Sequence, residues 1–508
     1  MFAYFVFPQK KKLSMGILLW VVLLFSAVSS RLSAQVGLEW VRQLGGGFDI
    51  NRPLGPSPDA DGCISRKAYS VATDNQNNIF VAGYYADSTD FGNGVWMIPP
   101  VNHKNVLFLA KYDSAGNFLF VKNFYGIGNP AGGHRFDNVF IRADAEGNAF
   151  LAAWLRGGQT DLDPGPGTFS GQAGRTYLIK LAPDGNFVNA VQVAWAFAGV
   201  TDPAVIAANY KLVGGRFYIN DGSRIYRYSP NLNLDLTIDA RSSSGLATNE
   251  FNSCMFTSFE VDPGGVIYCS VLSHGAVGCT MDNAKPWLVK YTANGTRIWT
   301  KPFISASKIS LYKNRIRASG YLPYQLQIDA DPGPDSFLVS GSPDFPGFIA
   351  DFDTSGQFML ARTVYRLMGE KNYSLSASAA VRRVAGTFSP SDMNTTNDSL
   401  RYQYEDQSGP GTFLARGMND FVVCISDEYE NLFSLAHFGG TGDEVVYDWT
   451  ADRSGNLILA GTYSHADDCD YDPGPGAVRL INASMVADPV FHNRVSTAIF
   501  LLKLKLNL

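Results

Sequence analysis

Apolar and polar stretches alternate along the chain as one recurring unit: an apolar strand, a short polar turn, a second apolar strand and a small residue. Clear copies occupy residues 70–85 (SVATDNQNNIFVAGYY), 140–155 (FIRADAEGNAFLAAWL), 256–272 and 447–463. Weaker copies begin at Val205, Ile309 and Ser374. Each predicts a β-hairpin, because Asp, Asn and Gly at the turn tolerate positive φ. A second unit follows after a loop of variable length. It reads FLAKYDSAGNFLF at 108–120, YLIKLAPDGNFVN at 177–189 and WLVKYTANGTRIW at 287–299, with relatives beginning at Ile225, Phe348 and Phe421. This unit also predicts a hairpin.

Two hairpins make a four-stranded antiparallel blade. Paired in order, the units give six complete sets and a seventh that starts at Tyr447 and stops one strand short, at residues 499–508. The missing strand stands at the other end of the chain: residues 37–46 (GLEWVRQLGG) match the fourth strand and exit of a unit, as in residues 117–126. A sheet lacking its outer strand leaves an unpaired edge, and lending it the N-terminal strand closes a ring. The expected fold is therefore all-β: a seven-bladed β-propeller of four-stranded antiparallel blades, closed by the N-terminal strand joining the last blade. Residues 35–508 form its single domain.

The D-x-x-G-N turns and the third-strand pattern F-[LV]-x-K-[YL] resemble the SBBP-type β-propeller repeats of secreted bacterial proteins. The resemblance spans residues 37–508; it is good in blades 1, 2, 4 and 7 and poor in blades 3 and 5. The third-strand lysine is Asp351 in blade 5 and Cys424 in blade 6. These departures leave six or eight blades open as alternatives. The stretch Ser33-Ala34-Gln35 is similar to that of exported Bacteroidetes proteins, many of which carry an added C-terminal sorting domain, whereas this chain ends in a blade strand.

The first 34 residues read as an address. Lys10, Lys11 and Lys12 precede an apolar run from Met15 to Val28, which is shorter than the ~20 residues that span a bilayer. Small residues follow, so a signal peptide cut after Ala34 is expected, with an uncleaved anchor as the alternative. No Cys follows the apolar run, which argues against a lipoprotein anchor. The mature chain is expected to be secreted, periplasmic or at the cell surface, without a membrane span, and monomeric.

Composition narrows the function classes. Lys+Arg 41 against Asp+Glu 46 gives a net charge of -5, which argues against a nucleic-acid binder with its basic stripe. Six cysteines in 508 residues are too sparse to be the main scaffold. Their expected blade positions could bring Cys254 to Cys279 and Cys63 to Cys469 as disulfides, while Cys269 and Cys424 fall within strands.

Three loops share an Asp-x-Asp-Pro-Gly-Pro string, at Asp161 and Asp163, Asp329 and Asp331, and Asp470 and Asp472. Paired carboxylates are hard oxygen donors, so calcium is one reading. A rigid turn is the other, with Asp bonding its own following N–H groups and Pro and Gly setting the backbone. No other cofactor is indicated.

None of the six histidines has metal-ligand spacing, and neither a G-x-S-x-G elbow nor a P-loop occurs. His465 with Asp467, Asp468 and Asp470 reads as a solvated acidic loop. Tyr84, Tyr85, Trp96, Trp154, Tyr321 and Tyr324 lie near second-strand ends, where they either form an aromatic recognition face or pack blades together. The expectation is an exported, non-catalytic scaffold that binds a protein or glycan through its long loops. The alternative is a glycan-active hydrolase or lyase using loop carboxylates.

Overall fold

The computed structural model describes the chain from Gln35 onward, apart from residues 46–65, 86–87, 93, 95, 100–105, 128–134, 194–208, 245, 247–250, 276–283, 305, 307, 313, 322–326, 341–346, 365–380, 389–398, 404–409, 415–419, 428–431, 441, 443, 464–468, 481–497 and 508. The leader at 1–34 lies outside the described residues. Among the described residues, no helix is long and apolar enough to cross a membrane.

Among the described residues, the regular structure is almost entirely antiparallel sheet. Sheet 1 orders its strands as Arg66–Thr73, Ile79–Tyr85, Val106–Tyr112 and Phe118–Phe124. Sheets 2, 3, 4 and 5 repeat this four-stranded meander, beginning at Arg135, Tyr210, Phe251 and Lys308. Sheet 6 comprises Val381–Phe388, Asp420–Asp427 and Leu432–Phe438. Its predicted first strand, beginning at Ser374, lies outside the described residues. Sheet 7 contains Val445–Ala451, Leu457–Tyr463 and Ala498–Asn507, and its fourth strand is Gln35–Leu44. The two ends of the chain pair antiparallel, with Trp40 opposite Lys503 and Val41 opposite Leu502.

The middle strands show why the sequence reads as continuous apolar runs rather than alternation. Every residue of Ile79–Tyr85, Val106–Tyr112 and Leu457–Tyr463 is buried, because a neighbouring sheet covers each face. The outer strand Phe118–Phe124 stays partly open. The apolar clusters each join consecutive sheets. Ala82 and Leu109 of sheet 1 pack with Ile141 and Ile179 of sheet 2, and Phe150 of sheet 2 packs with Phe217 of sheet 3. Sheets 3 and 4 share a cluster through Ile225 and Val271, and sheets 4 and 5 through Leu288 and Ile316. Phe421 of sheet 6 packs with Leu459 of sheet 7, and Ile458 and Leu44 of sheet 7 pack with Val71 and Phe108 of sheet 1. Face-to-face stacking of meander sheets in chain order is propeller-type architecture.

The turn signature has a direct cause. In sheet 1, Asp113 Oδ1 accepts from the Ala115 and Asn117 N–H groups at 2.9 and 2.8 Å, and Asn117 Nδ2 donates back to Asp113 Oδ2 at 2.8 Å. Gly116 takes φ +78°, which closes the turn without Cβ strain. Asp74 with Asn78, Asp144 with Asn148 and Asp452 with Asn456 form the same closed turn. The small residue ending the first unit also has a steric reason. The first strand bulges at Tyr69, and a Cβ on Gly83 would lie 1.9 Å from the Lys67 carbonyl oxygen.

Candidate functional site

The third-strand lysines form a column of latches between sheets. Lys111 of sheet 1 donates to the Pro183 carbonyl, in the outer turn of sheet 2, at 2.9 Å. Lys180 of sheet 2 donates to Pro230 O of sheet 3 at 2.9 Å, and Lys290 of sheet 4 to Thr354 O of sheet 5 at 3.0 Å. In sheet 3 the position holds Arg227, whose guanidinium bonds the Ala293 carbonyl of sheet 4. Lys503 of sheet 7 donates to Ser114 O of sheet 1 at 3.1 Å. Every acceptor is the second residue of the next sheet's outer turn.

A buried ammonium is costly unless paired, and each latch supplies partners. Lys111, Lys180 and Lys290 lie over the rings of Phe80, Phe150 and Tyr268 at 4.7, 5.3 and 5.0 Å. Lys503 has two carboxylates, Glu39 at 3.0 Å and Asp452 at 3.2 Å. Asp351 occupies this position in sheet 5 and turns inward instead. Its two oxygens take the buried Arg317 guanidinium at 2.5 and 2.6 Å.

The first strands make a second line of contacts. Ser70 of sheet 1 donates its hydroxyl to Asp448 Oδ2 of sheet 7 at 2.7 Å, and the Val71 N–H joins it at 3.0 Å. Ser70 Oγ in turn accepts from Ile141 N–H of sheet 2 at 3.2 Å. Ser258 likewise accepts from Ile309 N–H, linking sheets 4 and 5. Burial pushes the Asp448 carboxyl above its ordinary value, against the opposing pull of the Arg142 guanidinium and these hydrogen bonds.

Beside this line, Lys67, Tyr69, Tyr84 and Tyr447 come together. Tyr69 is packed on Tyr84 at 5.3 Å and on Tyr447 of sheet 7 at 5.4 Å between ring centroids. The Tyr69 hydroxyl donates to the Tyr84 hydroxyl at 3.3 Å, and Lys67 Nζ lies 5.8 Å from the Tyr447 ring centre. Of the aromatics singled out by sequence, Tyr84 joins this group and Tyr85 packs against Phe91 and Phe108. Trp96 is 43% exposed and Trp154 is half-buried. The Tyr321 side chain and Tyr324 lie outside the described residues.

The three Asp-x-Asp loops share one geometry. Asp161 Oδ1 accepts from the N–H groups of Asp163 and Phe169, and Asp163 Oδ1 from Gly165. Asp329 and Asp331 do the same toward Asp331, Phe337 and Gly333, and Asp470 and Asp472 toward Asp472, Val478 and Gly474. Among the described residues, no group of three His, Cys, Asp or Glu side chains converges.

Of the proposed disulfide residues, Cys254 is half-buried and Cys469 buried, while Cys63 and Cys279 lie outside the described residues. Cys269 is fully buried, which pushes its thiol well up. The Cys424 side chain and His465 also lie outside. Sequence reasoning overlooked the contact of His437 Nε2 with the buried Asp420 carboxylate at 2.6 Å. It also overlooked Glu444, which accepts from the Gly440 N–H at 3.0 Å. The Gly-Gly-Thr-Gly-Asp-Glu run after His437 and Phe438 was the available signal.

No protein-family model and no curated protein matches the chain. Among solved structures, it is similar to the Neurospora crassa Pan2 WD40 domain, with 9% identity, 68% of this chain and 92% of that one covered, and a TM-score of 0.31. A protein of unknown function from Bacteroides caccae is 11% identical over 63% of this chain and 94% of its own, with a TM-score of 0.26. A eukaryotic initiation factor is 10% identical over 92% of this chain and 98% of its own, with a TM-score of 0.37. Likenesses this distant carry no argument about ligand or activity.

Proposed function

We propose that the chain is an exported, non-catalytic β-propeller of seven SBBP-type blades, acting as a monomeric binding scaffold. The observation that carries this reading is how the repeat's polar signature is used. The third-strand cations hold sheet to sheet, and the turn aspartates close their own turns. The latch from Lys503 to Ser114 repeats between sheets 7 and 1 what Lys111 does between sheets 1 and 2, which supports closure into a ring. The glycan-active alternative needs two carboxyl groups free of basic partners in one cleft. Buried Asp351 and Asp448 instead face Arg317 and Arg142.

A glycan and protein array probed with the mature chain tests the function. Saturable binding without turnover supports the scaffold; release of shortened glycan from a bound polysaccharide overturns it. Cell fractionation with N-terminal sequencing tests export, the expected result being an exported chain that starts at Gln35. An experimental structure that shows six or eight blades would refute the count.

A further inference from the structure

We propose that Lys67, Tyr69, Tyr84 and Tyr447 form a binding site for a uronate, a sugar that carries a carboxylate, on the first strands of sheets 7 and 1 and the second strand of sheet 1. This deepens the scaffold reading and rests on it. The argument begins with charge. The buried lysines have strong acceptors: Lys111 and Lys503 have carboxylates and turn carbonyls, and Lys180 has a turn carbonyl. Lys211, also on a first strand, pairs with Glu260 at 2.7 Å. Lys67 is half-buried, and among the described residues it meets only the hydroxyls and rings of Tyr84 and Tyr447. Burial opposes its charge, but the Tyr447 and Tyr84 hydroxyls hold its ammonium above the ordinary lysine value, so the positive charge is kept beside neutral phenols and is open to pairing with an incoming anion.

The local backbone brings these groups together. Lys67 stands directly opposite Tyr84 in the strand pairing, and the bulge between Ala68 and Ser70 sets Tyr69 out of register. The equivalent bulge between Val446 and Asp448 does the same for Tyr447. Tyr69, Tyr447 and Lys67 are half-buried, so solvent reaches them, whereas Tyr84 is buried behind them. A phenol that accepts from an ammonium keeps its own proton to donate. The polar groups that converge here are therefore chiefly donors, which suits an oxyanion.

The rings narrow the ligand further. Tyr69 and Tyr447 meet at 56°, an open V rather than a slot for a flat aromatic. In the proposed complex the half-buried Tyr69 and Tyr447 rings meet the C–H face of a pyranose, while the carboxylate reaches Lys67.

The test titrates the mature protein with glucuronate and galacturonate oligomers, followed by calorimetry and by tyrosine signals in NMR. Saturable binding that weakens as salt rises is expected. Lys67→Met should weaken it by about 10-fold or more, while Lys67→Arg retains most of it. Tyr447→Ala should weaken it too, and unchanged melting curves would show that these variants fold. Absence of wild-type binding at millimolar uronate overturns the proposal, as does binding that Lys67→Met leaves intact. Equal binding of neutral glucose oligomers or of an acetylated amino acid also overturns it. If another array ligand binds regardless of Lys67, this site fails and the scaffold reading stands. If the oligomers are cleaved, the scaffold reading itself fails.

Discussion

Lys503 and Asp351 occupy the same position of the repeat in sheets 7 and 5, yet do opposite things. Lys503 reaches out of its sheet, to Ser114 of the next one, and gathers Glu39 and Asp452 around it. Asp351 stays within its sheet and neutralises Arg317 of the adjacent strand. Both solve the same problem, a charge buried in the third strand. Only the lysine turns that solution into a joint between sheets. The last strand pair of sheet 7 has no continuous chain through it, because Gln35–Leu44 and Ala498–Asn507 come from opposite ends. That sheet carries the most heavily paired latch.

Breaking the sheet 5 pair should have the largest effect. Asp351→Ala strands Arg317 in the interior and should cost about 3–5 kcal/mol in denaturant unfolding. The double change Asp351→Leu with Arg317→Met should recover most of that loss; no recovery would mean the pair is not the source. Lys503→Met should cost less, about 2–3 kcal/mol, because Asp452 keeps its bonds from Asn456. Its distinctive mark is local: hydrogen exchange should quicken across Gln35–Leu44 and leave sheet 5 unchanged. Uniform quickening would contradict the latch role.

Asp448 sharpens the comparison through pH. Its carboxyl is raised above its ordinary 3.8, chiefly by burial. The folded state therefore holds the proton more tightly than the unfolded chain, so this group's contribution falls as pH rises from 3.8 to its folded value. Asp448→Asn should remove that decline and lose about 1 kcal/mol at neutral pH, since an amide oxygen still accepts from Ser70 and Val71. A stability–pH curve identical to wild type would refute this account. Glu39→Gln should have the smallest effect, roughly 0–1 kcal/mol, because Glu39 is solvent-exposed and Asp452 also pairs with Lys503. A larger loss would show that Glu39 rather than Asp452 anchors the latch.

The paired hairpins, the closed turns and the partnership of the chain ends were legible from residues 70–85, 108–120 and 37–46. The lysine column was legible as a pattern and its role was not. The departures at Asp351 and Cys424 were visible as irregularities, but Arg317 as the partner of Asp351 was not, since the two are 34 positions apart. The tyrosine group around Lys67 was half visible: Tyr84 stood out near a strand end, while Tyr69 and Tyr447 looked like ordinary strand residues.

Local order followed from the chain alone because its causes are local. Asp113 and Asn117 find each other within one turn, and an unbroken apolar run such as Ile79–Tyr85 already implies cover on both faces. The joints were decided only by folding. Lys111 and Lys503 end on carbonyl oxygens of Pro183 and Ser114, and a main-chain carbonyl is chemically the same group whatever residue bears it. No residue type marks such an acceptor, so only the stacking of one sheet on the next could select it.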